Sequence, residues 1–136
     1  MSGRLPRTRL ILSSLERSYE HAEPIEMTNS ITIEHVMPQT LSPLWEEALG
    51  EDAARIHEEL LHTIGNITYS GSNSEMGNAP FESKREVLAT SHFEMNRAIV
   101  QAQVWTEAEI RARAETLAEQ AVHIWKGPSV EVIYLT

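Results

Sequence analysis

Glu34 and His35 stand side by side at the end of the β-branched run Ile31-Thr32-Ile33, and Pro38 stops that run shortly after. A neutral imidazole with an unperturbed pKa of ~6.5 is a competent general base near neutral pH. A carboxylate beside it can hold a hard divalent cation. A base next to such a ligand is a hydrolytic pairing. The ordinary reading of the same two residues is a histidine capping a strand end and a solvent-exposed glutamate. Successive residues of a strand point to opposite faces, so both can serve one site only where the strand ends or distorts. Pro38 supplies that condition.

Further polar residues follow in order. Asn66 comes just after Gly65, inside the apolar stretch Ile64–Ser70. Asparagine is a poor strand former, and its side chain bonds readily to backbone groups, so it can fix a neighbouring loop. Asn73 and Asn78 lie in or beside a segment rich in Gly, Ser and Asn, where turn and cap roles are the ordinary reading. Lys84 follows on the helix expected from about Asn78, and alone it reads as a solvated lysine. Rival constellations fail on spacing. His57 and His62 are five apart, about 140° around a helix, whereas a zinc-protease helix needs them at i and i+4. The glycines form no phosphate-cradling fingerprint, and Ser13, Ser14 and Ser42 lack a nucleophile-elbow context. His92 and His123 read as helix-surface or core residues.

The elements that must position these residues are mostly helices. Residues 4–20 carry a stripe of Leu5, Ile11, Leu12, Leu15 and Tyr19 and read as a helix. Residues 21–30 read as a connector and 31–33 as a short strand. Ser42-Pro43 has the form of an N-cap with proline at the first helical position, and Gly50 ends that helix. A helix over about 51–62 follows, with Ile56, Leu60 and Leu61 inward. Residues 64–70 read as the second strand. Asn78-Ala79-Pro80 reads as a cap opening a helix whose Phe81, Val87 and Leu88 face the core. Ser91-x-x-Glu94 and Thr106-x-x-Glu109 have capping-box form and open helices to about Gln103 and Trp125. In the last of these Ile110, Leu117, Ala121 and Ile124 share a face. The expected class is α+β and mostly helical. Two short strands alone are marginally stable, so a helix must lie across them, most simply the one starting near Asn78.

Composition narrows the chemistry. The 136 residues contain no cysteine, which excludes disulfides, a Cys nucleophile and a thiolate zinc site. Any metal must be held by oxygen and imidazole. No apolar run approaches the ~20 residues of a membrane span. The basic start, Met1 to Arg9, lacks a signal-peptide core, so a cytoplasmic setting is expected. Twenty acidic residues against 11 basic ones give a net charge of −9. That disfavours strong autonomous nucleic-acid binding, which rests on many Lys and Arg contacts to phosphate.

Three segments together carry a family resemblance. They are Ile33-Glu34-His35-Val36-Met37-Pro38-Gln39, then Ile64-Gly65-Asn66-Ile67-Thr68, then Asn73-Ser74 through Asn78, Phe81 and Lys84-Arg85. In this order they resemble the C-terminal nuclease domain of GmrSD-type modification-dependent restriction proteins, a branch of the HNH or His-Me finger endonucleases. Arg7–Glu16 resembles the lead-in helix of that domain and Trp105–Trp125 its closing helix. The resemblance implies a ββα-metal core within residues 31–126, with 1–30 as lead-in helix and connector and 127–136 as a tail. The whole chain would be one domain cut from a larger protein. It implies His35 as general base, Asn66 as the residue fixing the loop and that histidine, and Glu34 with Asn73 or Asn78 as metal ligands. Lys84 and Arg85 would meet DNA phosphates. The implied cofactor is Mg²⁺ or Mn²⁺ rather than structural zinc. The implied partners are double-stranded DNA and an N-terminal nucleotide-hydrolysing sensor domain, in the same protein or a partner subunit, and no membrane. A non-catalytic interaction domain and an RNA-directed nuclease are the alternatives.

Overall fold

The computed structural model describes residues 4–17, 32–70, 76–90 and 93–125. Among them two short strands pair antiparallel, and helices cover them, an α+β arrangement. Strand β1 is Thr32–His35 and β2 is Ile67–Ser70, with Glu34 opposite Thr68 and His35 opposite Ile67. Helix α1 (Arg4–Arg17) precedes the strands. Helices α2 (Pro43–Leu49) and α3 (Ala53–Leu60) lie within the connection between them. Helices α4 (Phe81–Ala89), α5 (Arg97–Gln101) and α6 (Glu107–Trp125) follow β2. No helix among the described residues is long and apolar enough to cross a membrane.

Local sequence explains the well-placed ends. Ser42 Oγ accepts from the Trp45 amide at 3.4 Å, Pro43 takes the first turn, and Gly50 closes α2 at φ 83°. Glu109 Oε1 accepts from the Thr106 amide at 2.8 Å and the Thr106 hydroxyl at 2.5 Å, the glutamate half of a capping box opening α6. Leaving aside Leu5, Tyr19 and Ile124, whose side chains lie outside the description, the inward faces are as the periodicity predicts. Leu12 and Leu15 of α1, Ile56 and Leu60 of α3, and Ile110, Leu117 and Ala121 of α6 are buried. They divide between two clusters. One gathers Val36, Met37, Trp45, Ile56, Leu88, Trp105 and Ile110; the other gathers Leu12, Leu15, Ile67, Tyr69, Phe93 and Leu117. Strand β2 is buried along its whole length, whereas β1 is half-buried, so β1 can present side chains outward.

Four boundaries differ from expectation. Residues 64–66 form a 3-10 turn, and the strand starts at Ile67. The buried Arg113 of α6 donates to the carbonyls of Ile64, Gly65 and Ile67 at 2.9, 3.0 and 2.9 Å. Its guanidinium consumes acceptors that a strand partner would otherwise take. The helix expected over 51–62 is confined to 53–60, entered through a 3-10 turn. Helix α4 begins at Phe81 rather than Asn78, because Pro80 is extended (φ −59°, ψ 155°) and disfavours helix in the residue before it. The helix expected from Ser91 is α5 alone, preceded by a 3-10 turn whose Glu94 and Met95 amides are capped by Glu16 of α1 at 2.8 and 3.0 Å. Ser91, His92, Asn73, Tyr19 and the tail 127–136 lie outside the described residues.

Candidate active site

Strand β1 ends at His35, and beyond it the Val36 amide donates to the Asn66 carbonyl at 2.9 Å, the last rung of the ladder. Glu34 and His35 are the last two residues of the strand. Glu34 and His35 line one open cleft of about 430 Å³ with Pro38, Gln39, Thr40, Gly77 and Asn78.

Asn66 braces the chain just beyond His35. It has no solvent exposure, and its side-chain amide is fully used. Its Oδ1 accepts from the Met37 amide at 2.7 Å and from Trp105 Nε1 at 3.1 Å. Its Nδ2 donates to the Met37 carbonyl at 2.9 Å and the Leu61 carbonyl at 3.1 Å. The segment after His35 is thereby bound to the turn before β2. The turn is itself seated on α6. A Cβ at Gly65 would lie 2.1 Å from the Ile110 carbonyl oxygen and 2.9 Å from Ala114 Cβ, so only glycine lets the backbones approach this closely.

Lys84 of α4 does not lie at the surface. It is fully buried, and its Nζ donates to the His35 carbonyl at 2.8 Å and to Glu34 Oε1 at 3.3 Å, with the Trp45 ring 5.9 Å away. This corrects the reading of Lys84 as a solvated lysine: its ammonium is enclosed by the strand end it anchors. Arg85 is likewise engaged, donating to the Ala102 carbonyl at 2.9 Å beside the Phe81 ring. Burial pushes the Glu34 carboxyl up, and the Lys84 ammonium opposes this; burial holds Lys84 below the usual lysine range, and Glu34 opposes that.

His35 is half-buried, and its Nε2 faces His62 Nδ1 at 3.2 Å with the rings edge to face. It is pushed down to about 4, by burial first and then by His62, Lys84 and His57. His57 Nε2 donates to the Pro38 carbonyl at 2.9 Å. His57 and His62 form no pair on one helix face. Each instead meets the end of β1 from α3 and the residues just beyond it. Arg113 and Trp105 were also missed as supports. An arginine in the middle of an otherwise apolar helix face was the one available signal.

The donor chemistry fits a hard cation. Glu34 and Asn78 offer carboxylate and amide oxygens at one open cleft, and Mg²⁺ or Mn²⁺ keep several waters rather than demanding an all-protein cage. Among the described residues no three His, Asp or Glu side chains converge on such a point.

The model of the C-terminal domain of GmrSD restriction endonucleases matches residues 2–120. The chain belongs to this family. It is thereby a nuclease-family domain of restriction defence, and the match takes in every element from α1 through most of α6. Among curated proteins none matches the chain.

Proposed function

We propose that this GmrSD C-terminal domain is an HNH-type endonuclease that hydrolyses DNA phosphodiesters with His35 as general base and one divalent metal. The observation that carries this reading is the binding of Asn66 to both polar groups of Met37, which fixes the His35 strand end at an open cleft. Three supports of that end are backbone-directed: Lys84 holds the His35 carbonyl, His57 the Pro38 carbonyl, and Asn66 the Met37 amide and carbonyl. Such preorganisation is what a general base needs, since catalysis rests on holding reacting groups in place.

A bound Mg²⁺ or Mn²⁺, held by Glu34 and Asn78, or by Asn73 in place of Asn78, would supply Lewis-acid charge at the phosphodiester. His35 takes the proton of the attacking water. Its depressed proton affinity keeps the imidazole unprotonated at neutral pH. A phosphodiester entering the cleft adds negative charge that opposes the Lys84 ammonium and raises that affinity. Lys84 steadies Glu34 and the strand end from beneath. The net charge of −9 accords with DNA delivered by another unit. That unit is the N-terminal nucleotide-hydrolysing sensor domain, in the same protein or a partner subunit, acting in the bacterial cytoplasm against modified foreign DNA.

The test is a supercoiled plasmid incubated with excess chain in Mg²⁺ or Mn²⁺, beside EDTA and a structured RNA of similar mass. Nicked or linear plasmid with metal, none with EDTA, and intact RNA is the expected result. Cleavage of RNA alone assigns the site to the RNA-directed alternative. An intact plasmid in every metal leaves the non-catalytic alternative standing.

A further inference from the structure

His62 is used neither by the family pattern nor by the mechanism above, yet it is the side chain that meets the ring of the catalytic histidine. It lies in the turn after α3, half-buried, with its Nδ1 3.2 Å from His35 Nε2, ring centroids 5.3 Å apart and planes at 78°. Two neutral imidazoles each carry one N–H, so a hydrogen bond between these nitrogens fixes the tautomer of both rings. With the proton on His62 Nδ1, His35 Nε2 is the acceptor, and His35 holds its own proton on Nδ1. Neither nitrogen of His35 then has a lone pair free for water. With the proton on His35 Nε2, His62 Nδ1 accepts it, and His35 Nδ1 is bare.

We propose that His62 is a positioning residue that accepts the Nε2 proton of His35 and so makes Nδ1 the basic atom of the site. The assignment rests on the reading of His35 as general base. The proton balance is closed. The attacking water gives one proton to His35 Nδ1 as its oxygen bonds to phosphorus; the bond from phosphorus to the leaving sugar oxygen breaks, and that oxygen takes a proton from solvent. His35 then carries both N–H groups, with Nε2–H still held by His62, and returns the Nδ1 proton to solvent. His57 performs a parallel service one step along, donating to the Pro38 carbonyl at 2.9 Å. The two histidines thus brace the strand end at its ring and at its backbone.

Long-range ¹⁵N–¹H spectra of the metal-free, ¹⁵N-labelled chain read the tautomers directly, whether or not the chain nicks DNA. The expected spectrum shows His35 protonated on Nε2 alone and His62 bare on Nδ1; His35 protonated on Nδ1 overturns the assignment. In plasmid nicking, His62→Ala is expected to lose about 10- to 100-fold, the usual cost of removing a hydrogen-bonded support. His62→Asn is expected to keep most activity, because its amide oxygen accepts near the position of Nδ1. Full nicking by His62→Ala, with His35→Ala inactive, overturns this assignment alone. Full nicking by His35→Ala overturns the general-base reading and this assignment with it.

Discussion

Asn66 is bonded to both the amide and the carbonyl of Met37, at 2.7 and 2.9 Å, so one side chain stands in for a strand partner just beyond His35. Two more bonds, from Trp105 Nε1 and to the Leu61 carbonyl, complete it. Asn66→Ala leaves the Met37 amide and the indole N–H without this acceptor inside the core. A loss of about 2–4 kcal/mol is expected from orphaned buried groups. Urea unfolding measures it. A change under about 0.5 kcal/mol, the range of ordinary surface substitutions, would refute the bracing role.

The buried Lys84 predicts a separation between stability and DNA affinity. Lys84→Met removes the partner of Glu34 and the donor to the His35 carbonyl, at an expected cost of about 2–4 kcal/mol, near that of breaking a buried pair. The slope of log binding constant against log salt, read by fluorescence anisotropy on duplex DNA, should not change. A phosphate-binding lysine would instead reduce that slope by about 1.

Gly65 should tolerate no side chain. Alanine there drives its Cβ into the backbone of α6 at Ile110, and backbone cannot swing aside as a flexible side chain does. Overpacking of this kind costs about 1–3 kcal/mol or more. Gly65→Ala is therefore expected to shift the urea midpoint down and to weaken nicking, since the turn carries Asn66. Unchanged unfolding would contradict the close approach.

His35 carries a pH signature. Its ring is pushed down to about 4 in the folded chain, from 6.5 in the unfolded one. The unfolded state therefore binds the proton more readily, and its stabilisation grows as pH falls. No contribution exists above pH ~6.5; stability falls between there and pH ~4, by up to about 3 kcal/mol. Urea unfolding across this window should show a shallower decline for His35→Gln than for the parent chain. Parallel curves would show that His35 titrates normally.

Much of this fold was legible in the sequence, because helix periodicity and caps are local signals. Ser42-Pro43, Gly50 and Thr106-x-x-Glu109 mark ends that the structure keeps. Residues 64–66 misled, because a β-rich run is diverted into a turn by Arg113, which lies more than forty residues further along. The start of α4 misled because Asn78 and Pro80 together imitate a cap, while the proline's effect on Ala79 delays the helix. At the site, Glu34, His35, Asn66 and Asn78 were legible as residues. The roles of Lys84, His57 and His62 were not, since burial and cross-element contact leave no local pattern.

The catalytic assignment of His35 is tested most directly by single-turnover nicking of supercoiled plasmid, with the chain in excess over DNA in Mg²⁺ or Mn²⁺, comparing parent and His35→Ala. Circular dichroism of both confirms that they are folded. A general base contributes about 10²–10⁴ in rate, so the variant should nick at least about a hundredfold more slowly. A folded His35→Ala that nicks at the parent rate would contradict the assignment.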